Sequence, residues 1–226
     1  LECATPVQSL GVKRVQLSMN AQQYGSSNGS VAYTYLPAAA VSSVSPESGA
    51  AEGGTPVTVY GANLLAASEE LGYLQCRFNG SVVRASLVSS TVAVCNSTEA
   101  DAGHVALEVS GNGLDFTSSG VQYEYLRPVS VWSVEPSQGP TGGGTFVNVT
   151  TTDVSQRSAA LGYLYCKFNQ TAVHAVWASR TESYCVAPEA PAGPVAVELT
   201  LNNQQYTFDN VQYEYQDVVA YSIHPV

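Results

Sequence analysis

Positive charge is scarce in this 226-residue chain: Lys and Arg together number 8 against 18 Asp and Glu, for a net charge of −10. Nucleic acid and anionic membrane surfaces are bound by clustered cations that displace counterions, so neither is an expected partner. Charge of both signs is thin, at 12 % of residues against an average of about 25 %. Such a surface is aggregation-prone unless something else solubilises it, and attached glycans can do so. No apolar run approaches the roughly 20 residues that span a bilayer. The chain opens Leu1-Glu2-Cys3-Ala4-Thr5, without the basic start and apolar core of a signal peptide. A leader, and any membrane anchor, are expected outside this stretch.

The organising feature is an internal repeat. Leu71-Gly-Tyr-Leu-Gln-Cys-Arg-Phe-Asn-Gly-Ser81 returns 90 residues later as Leu161-Gly-Tyr-Leu-Tyr-Cys-Lys-Phe-Asn-Gln-Thr171. The same offset carries Pro46, Gly49, Gly53, Gly54 and Thr55 to Pro136, Gly139, Gly143, Gly144 and Thr145, and Val121-Gln-Tyr-Glu-Tyr125 to Val211–Tyr215. Residues 1–36 align with the end of a unit, Cys3 with Cys185 and Gly11 with Gly193, and Val218–Pro225 resembles the start of another. The expected division is therefore 1–36 as the tail of one repeat, 38–126 and 128–216 as two complete repeats, and 217–226 as the first strand of the next. A segment of a longer array is the expectation.

Each unit reads as short strands. Val57/Val59, Val105/Leu107/Val109 and Val121/Tyr123/Tyr125 alternate with Thr58, Ala106, Glu108, Gln122 and Glu124, and the second unit repeats this. A period of two predicts half-buried strands with the second set facing out. Asn79-Gly80 and Asn112-Gly113 are hairpin-type dipeptides, and Glu52-Gly-Gly54 is another break. Turns at this spacing predict an all-β sandwich. Only Leu64–Leu71 admits a short helix, and it reads equally as a loop. Pro37 and Pro128 stiffen short joints, which favours an extended array.

Five cysteines leave one unpaired. Four of them keep the repeat register, and a unit that folds by itself pairs Cys76 with Cys95 and Cys166 with Cys185. Cys3 is then expected to find its partner upstream. The spacing does not suit zinc, because Cys-x2-Cys and a nearby His pair are both absent. Five sequons accompany the cysteines, at Asn28, Asn79, Asn96, Asn148 and Asn169. If Cys76 and Phe78 point inward, Asn79 points out, as does Asn169; if Val147 and Val149 point inward, Asn148 and Thr150 face solvent. Paired cysteines and sequons together indicate the secretory pathway.

Catalytic signatures are missing. His104 and His174 stand opposite Pro194 and Arg84 in the other copy, and His224 lies near the end. No Ser/His/Asp spacing stands out. Glu69, Glu70 and Asp101 lack the calcium-loop pattern, and the glycines at 142–144 lack the Gly-Lys-Ser/Thr of a phosphate loop. No enzyme, metal or cofactor is expected. The paired tyrosines of the closing strand, Tyr33/Tyr35, Tyr123/Tyr125 and Tyr213/Tyr215, are expected in the core. Trp132, close after the joint, is expected to pack between units.

The succession Val41-Ser-Ser-Val-Ser-Pro-Glu-Ser-Gly49, Gly53-Gly-Thr-Pro-Val-Thr-Val59, Cys76-Arg-Phe-Asn79, Cys95 and Val121-Gln-Tyr-Glu-Tyr125 resembles the IPT/TIG domain, and a second copy runs from Val131 to Tyr215. The resemblance implies tandem immunoglobulin-like sandwiches. It occurs in plexin-type and Met-type receptors, long ciliary-membrane arrays, secreted carbohydrate-active enzymes and Rel-type transcription factors, the last at odds with the acidity and sequons. It implies no shared catalytic residue. The expected function is a spacer and protein-interaction rod of a cell-surface or ciliary-surface glycoprotein, contacting other proteins or neighbouring repeats. An accessory module of a secreted polysaccharide-acting enzyme and a building block of an extracellular fibre are the alternatives.

Overall fold

A computed structural model describes residues 3–25 and 31–217. Asn28, the expected strand beyond residue 217 and His224 lie outside the described residues. The tail contributes a two-stranded sheet, β1 (Gly11–Arg14) with β2 (Ala32–Tyr35). The first repeat runs β3 (Ala40–Ser45), β4 (Ser48–Ala50), β5 (Pro56–Ala62), α1 (Ala66–Glu70), β6 (Gln75–Phe78), β7 (Ser81–Arg84), β8 (Ser86–Ser89), β9 (Val92–Asn96), β10 (Gly103–Ser110) and β11 (Gln122–Leu126). The second runs β12 (Val131–Glu135), β13 (Gln138–Pro140), β14 (Phe146–Thr151), α2 (Gln156–Ala160), β15 (Tyr165–Phe168), β16 (Thr171–His174), β17 (Val176–Ser179), β18 (Glu182–Val186), β19 (Gly193–Thr200) and β20 (Val211–Gln216).

Each repeat is a sandwich of a five-stranded and a four-stranded sheet. The orders are β4-β11-β10-β6-β7 with β3-β5-β9-β8, and β13-β20-β19-β15-β16 with β12-β14-β18-β17. The tail keeps the pairing of the complete units: Gly11 faces Tyr35 as Gly103 faces Tyr125 and Gly193 faces Tyr215. Leu64–Leu71 does hold a helix, and its counterpart α2 begins at Ser155, whose hydroxyl accepts from the Ser158 amide at 3.4 Å. That side-chain bond satisfies one of the first turn's orphan N–H groups.

Alternation fills the core as expected. Val57, Val59, Cys76, Phe78, Leu107, Val109, Tyr123 and Tyr125 are buried, as are their counterparts in the second repeat. Phe78 meets Tyr123 edge to face at 5.3 Å and Tyr123 meets Tyr125 at 5.1 Å; Phe168, Tyr213 and Tyr215 repeat the stack at 5.5 and 5.0 Å. In the tail, Tyr33 is exposed and Tyr35 half-buried, because this two-stranded piece has no facing sheet among the described residues. Gly49 and Gly139 leave room for that stack: a Cβ at either would collide with a tyrosine hydroxyl, Tyr123 or Tyr213, and with Thr55 or Thr145. The four core tyrosine hydroxyls have no hydrogen-bond partner among the described residues. The Tyr123 hydroxyl lies near Ser97 and Thr55, but without hydrogen-bond alignment. Burial, reinforced by Tyr213, pushes Tyr215 up to about 12, so it stays neutral.

Alternation fails at Glu108 and Glu198, expected to face out and found buried. The segment after β10 folds over that strand's outer face, and Ser110 bridges to Phe116. Glu108 accepts from the Thr117 hydroxyl, the Ser119 amide (3.1 Å) and hydroxyl (3.0 Å) and the Gly120 amide (3.3 Å). Glu198 accepts from the Thr207 hydroxyl and the Asp209 and Asn210 amides. Asn112-Gly113 therefore sits in a long carboxylate-anchored loop, whereas Asn79-Gly80 closes a tight hairpin.

Candidate repeat interface and glycan sites

Disulfides tie the two sheets of each repeat together. Cys76 on β6 is bonded to Cys95 on β9, and Cys166 on β15 to Cys185 on β18, with Cα separations of 6.4 and 6.3 Å. All four cysteines are buried, and Cys3 is an exposed free thiol. Among the described residues no cluster of three His, Cys, Asp or Glu side chains could hold a metal. No described helix is long and apolar enough to cross a membrane.

The sequons occupy two kinds of site. Asn79 and Asn169 sit exposed at the tight turns after β6 and β15, with φ of 55° and 54°. Asn96 is exposed at the end of β9, and Asn148 lies half-buried within β14. Asn96 and Asn148 share the outer face of the four-stranded sheets.

Side chains join the repeats. Arg157 of α2 donates to Glu47 at 2.7 Å, and its Nε lies 3.1 Å from a Glu124 carboxylate oxygen without hydrogen-bond alignment to it. The Thr55 hydroxyl donates to Gln205 at 3.1 Å, and Gln204 donates to the Pro56 carbonyl at 3.2 Å. Leu126, the last residue of the first repeat's closing strand, is buried in the second repeat's core. Trp132 does not pack between units: it is 68 % exposed on an edge strand, where the register slips between Val131 and Ser133. Trp177 instead lines the cleft at the joint and donates to the Val154 carbonyl at 3.2 Å. Beside it, Asp153 pairs with Arg180 at 3.0 Å. Alignment of the copies offered a signal for these contacts, because Arg157 stands opposite Ala67 and Leu126 opposite Gln216.

The family model described as the IPT/TIG domain matches residues 39–125 and again 129–215, more than half of the chain. The chain belongs to the IPT/TIG family. Human Plexin-A2 is 32 % identical over 179 residues, covering 75 % of this chain and 9 % of that protein. Human Plexin-A3 is 27 % identical over 170 residues, covering 71 % and 9 %. The IPT/TIG pair thus spans about a tenth of the curated relatives it matches. Among solved structures, the full extracellular region of Plexin A4 superposes with a TM-score of 0.52 at 17 % identity, covering 80 % of this chain and 16 % of that one. That likeness places the tandem sandwiches in a known fold.

Proposed function

We propose that this chain is a non-catalytic segment of an extracellular or cell-surface glycoprotein, in which consecutive IPT/TIG repeats form a stiff spacer that also contacts other proteins. The proposed units are residues 1–36, 38–126, 128–216 and 217–226. The observation that carries the reading is the packed joint: Leu126 runs from the first repeat into the second core, and Arg157 of the second repeat pairs with Glu47 of the first. A shared apolar residue resists bending in a way that a solvated linker does not. Two disulfides, the sequons and the relatives' identity as plexins support an oxidising, extracellular setting. Protein partners follow by analogy with those relatives, and the surfaces where the copies differ are where specificity belongs. Small-angle scattering of the secreted chain tests the spacer role. One narrow distribution of lengths, unchanged by salt, is expected, and a broad distribution rejects the reading.

A further inference from the structure

The outer face of the sheet β12-β14-β18-β17 is apolar to a degree its counterpart is not. Phe146, Val176, Tyr184 and Val186 are 73, 63, 41 and 42 % exposed. The register makes them one patch: Phe146 lies opposite Val186, and Tyr184 opposite Val176. The first repeat has Pro56, Ser86, Val94 and Asn96 at these positions. At the border of the patch stands Asn148, opposite Tyr184 on one side and Glu135 on the other. Phe146, Asn148 and Thr150 alternate with buried Val147 and Val149, so they share the outer face at spacings of about 7 Å. The sequon thus has an exposed aromatic ring on the same face two residues before its asparagine.

We propose that Asn148 carries an N-linked glycan whose first sugars lie over Phe146 and Tyr184 and cover this face. The proposal rests on the extracellular reading above. Its chemistry is transfer of an oligosaccharide from a lipid-pyrophosphate donor. The anomeric C1–O bond to the pyrophosphate breaks, a C1–Nδ2 bond forms, and the lipid pyrophosphate leaves as the amide gives up one proton. The geometry suits that change. Asn148 Oδ1 is buried, whereas Nδ2 makes only a 3.5 Å contact to Glu182. A glycosylated amide keeps one N–H, so this contact survives. Sugar rings expose C–H faces that pack on aromatic rings, and their hydroxyls present a wet outer surface. On a protein so poor in charge, such a cover replaces an exposed apolar patch with a hydrated one. The first repeat carries its sequon Asn96 at the position of Val186, on the same face of the equivalent sheet.

The test uses the full chain secreted from N-glycosylating cells. Glycopeptide mass spectrometry is expected to find Asn148 modified on most molecules. Enzymatic release of that glycan from the native protein is expected to be about two- to tenfold faster in Phe146→Ser, the range of one aromatic stacking contact. Asn148→Gln and Thr150→Ala remove the sequon in different ways, and both are expected to raise binding of an apolar dye and concentration-dependent association, while Asn79→Gln does not. An unmodified Asn148 beside modified Asn79 or Asn169 overturns this proposal and leaves the extracellular reading standing. Unmodified asparagines throughout, with reduced cysteines, overturn both. Unchanged dye binding in the two sequon variants overturns the covering role. A wild-type dimer lost on Phe146→Ser overturns it too, and assigns the face to a second copy of the chain.

Discussion

Arg157 of the second repeat lies 2.7 Å from Glu47 of the first, the shortest ionic contact across the joint, and Leu126 of the first repeat is buried in the second core. Both partners of the ion pair are about two-fifths exposed. Exposed pairs contribute about 0–1 kcal/mol and are screened by salt. The apolar contact is insensitive to salt. Arg157→Ala is therefore expected to leave the melting temperature of either repeat almost unchanged, whereas Leu126→Ser widens the distribution of inter-repeat angles. Paired-label distance measurements on the two variants separate the effects: a broad distribution in Arg157→Ala alone would give the joint's stiffness to charge.

Gly49 and Gly139 are expected to tolerate no side chain. A Cβ there meets the Tyr123 or Tyr213 hydroxyl and the side chain of Thr55, which is buried, or Thr145, which is half-buried. Overpacking of this kind typically costs about 1–3 kcal/mol. Gly142, where a Cβ meets nothing within 4 Å, serves as the control and is expected to stay within about 0.5 kcal/mol of wild type. Chemical denaturation of Gly139→Ala and Gly142→Ala decides between crowding and generic loss of glycine.

The period-two strands make the sandwich and its tyrosine stack legible, because one covered face per strand is all that alternation encodes, and the repeat register makes the disulfide cysteines legible. Alternation misplaces Glu108 because the loop that covers the other face of β10 comes later in the chain. A signal existed: Glu108 and Thr117 recur as Glu198 and Thr207, a buried acceptor with its donor. The joint was less legible still. It is built from residues in which the copies differ, Arg157 against Ala67 and Leu126 against Gln216, so its signal lies in the mismatches between the copies and not in the matches that reveal the repeats. Trp132 and Trp177 show the same limit, since distance from the joint along the chain did not tell which indole borders it.

Removal of one disulfide should act within its own repeat. Cys76 and Cys95 are 19 residues apart, and closing a loop of that size is worth about 3 kcal/mol in the chain-entropy description. Replacing both with alanine is expected to lower the first repeat's melting temperature and leave the second repeat's transition in place. Equal loss in both repeats would mean that Leu126 couples the two cores into one unfolding unit.

Glu108 sets the last prediction, about acid. Burial alone would raise its pKa, but the hydrogen bonds from Thr117, Ser119 and Gly120 together outweigh burial and hold it below the ordinary 4.5. A folded value below the unfolded one means that the unfolded state binds the extra proton first. The group therefore contributes stability in full above the ordinary value and loses it as pH falls through the folded one. Glu108→Gln keeps the side chain's size but cannot accept these bonds as a charge. The variant is expected to be less stable than wild type at neutral pH, and the difference is expected to shrink as pH drops below about 4.5. Thermal melts of both proteins between neutral pH and pH 3 measure that convergence. Parallel curves would show that the loop is held by the geometry of its amides and hydroxyls alone, with the carboxylate's charge contributing nothing.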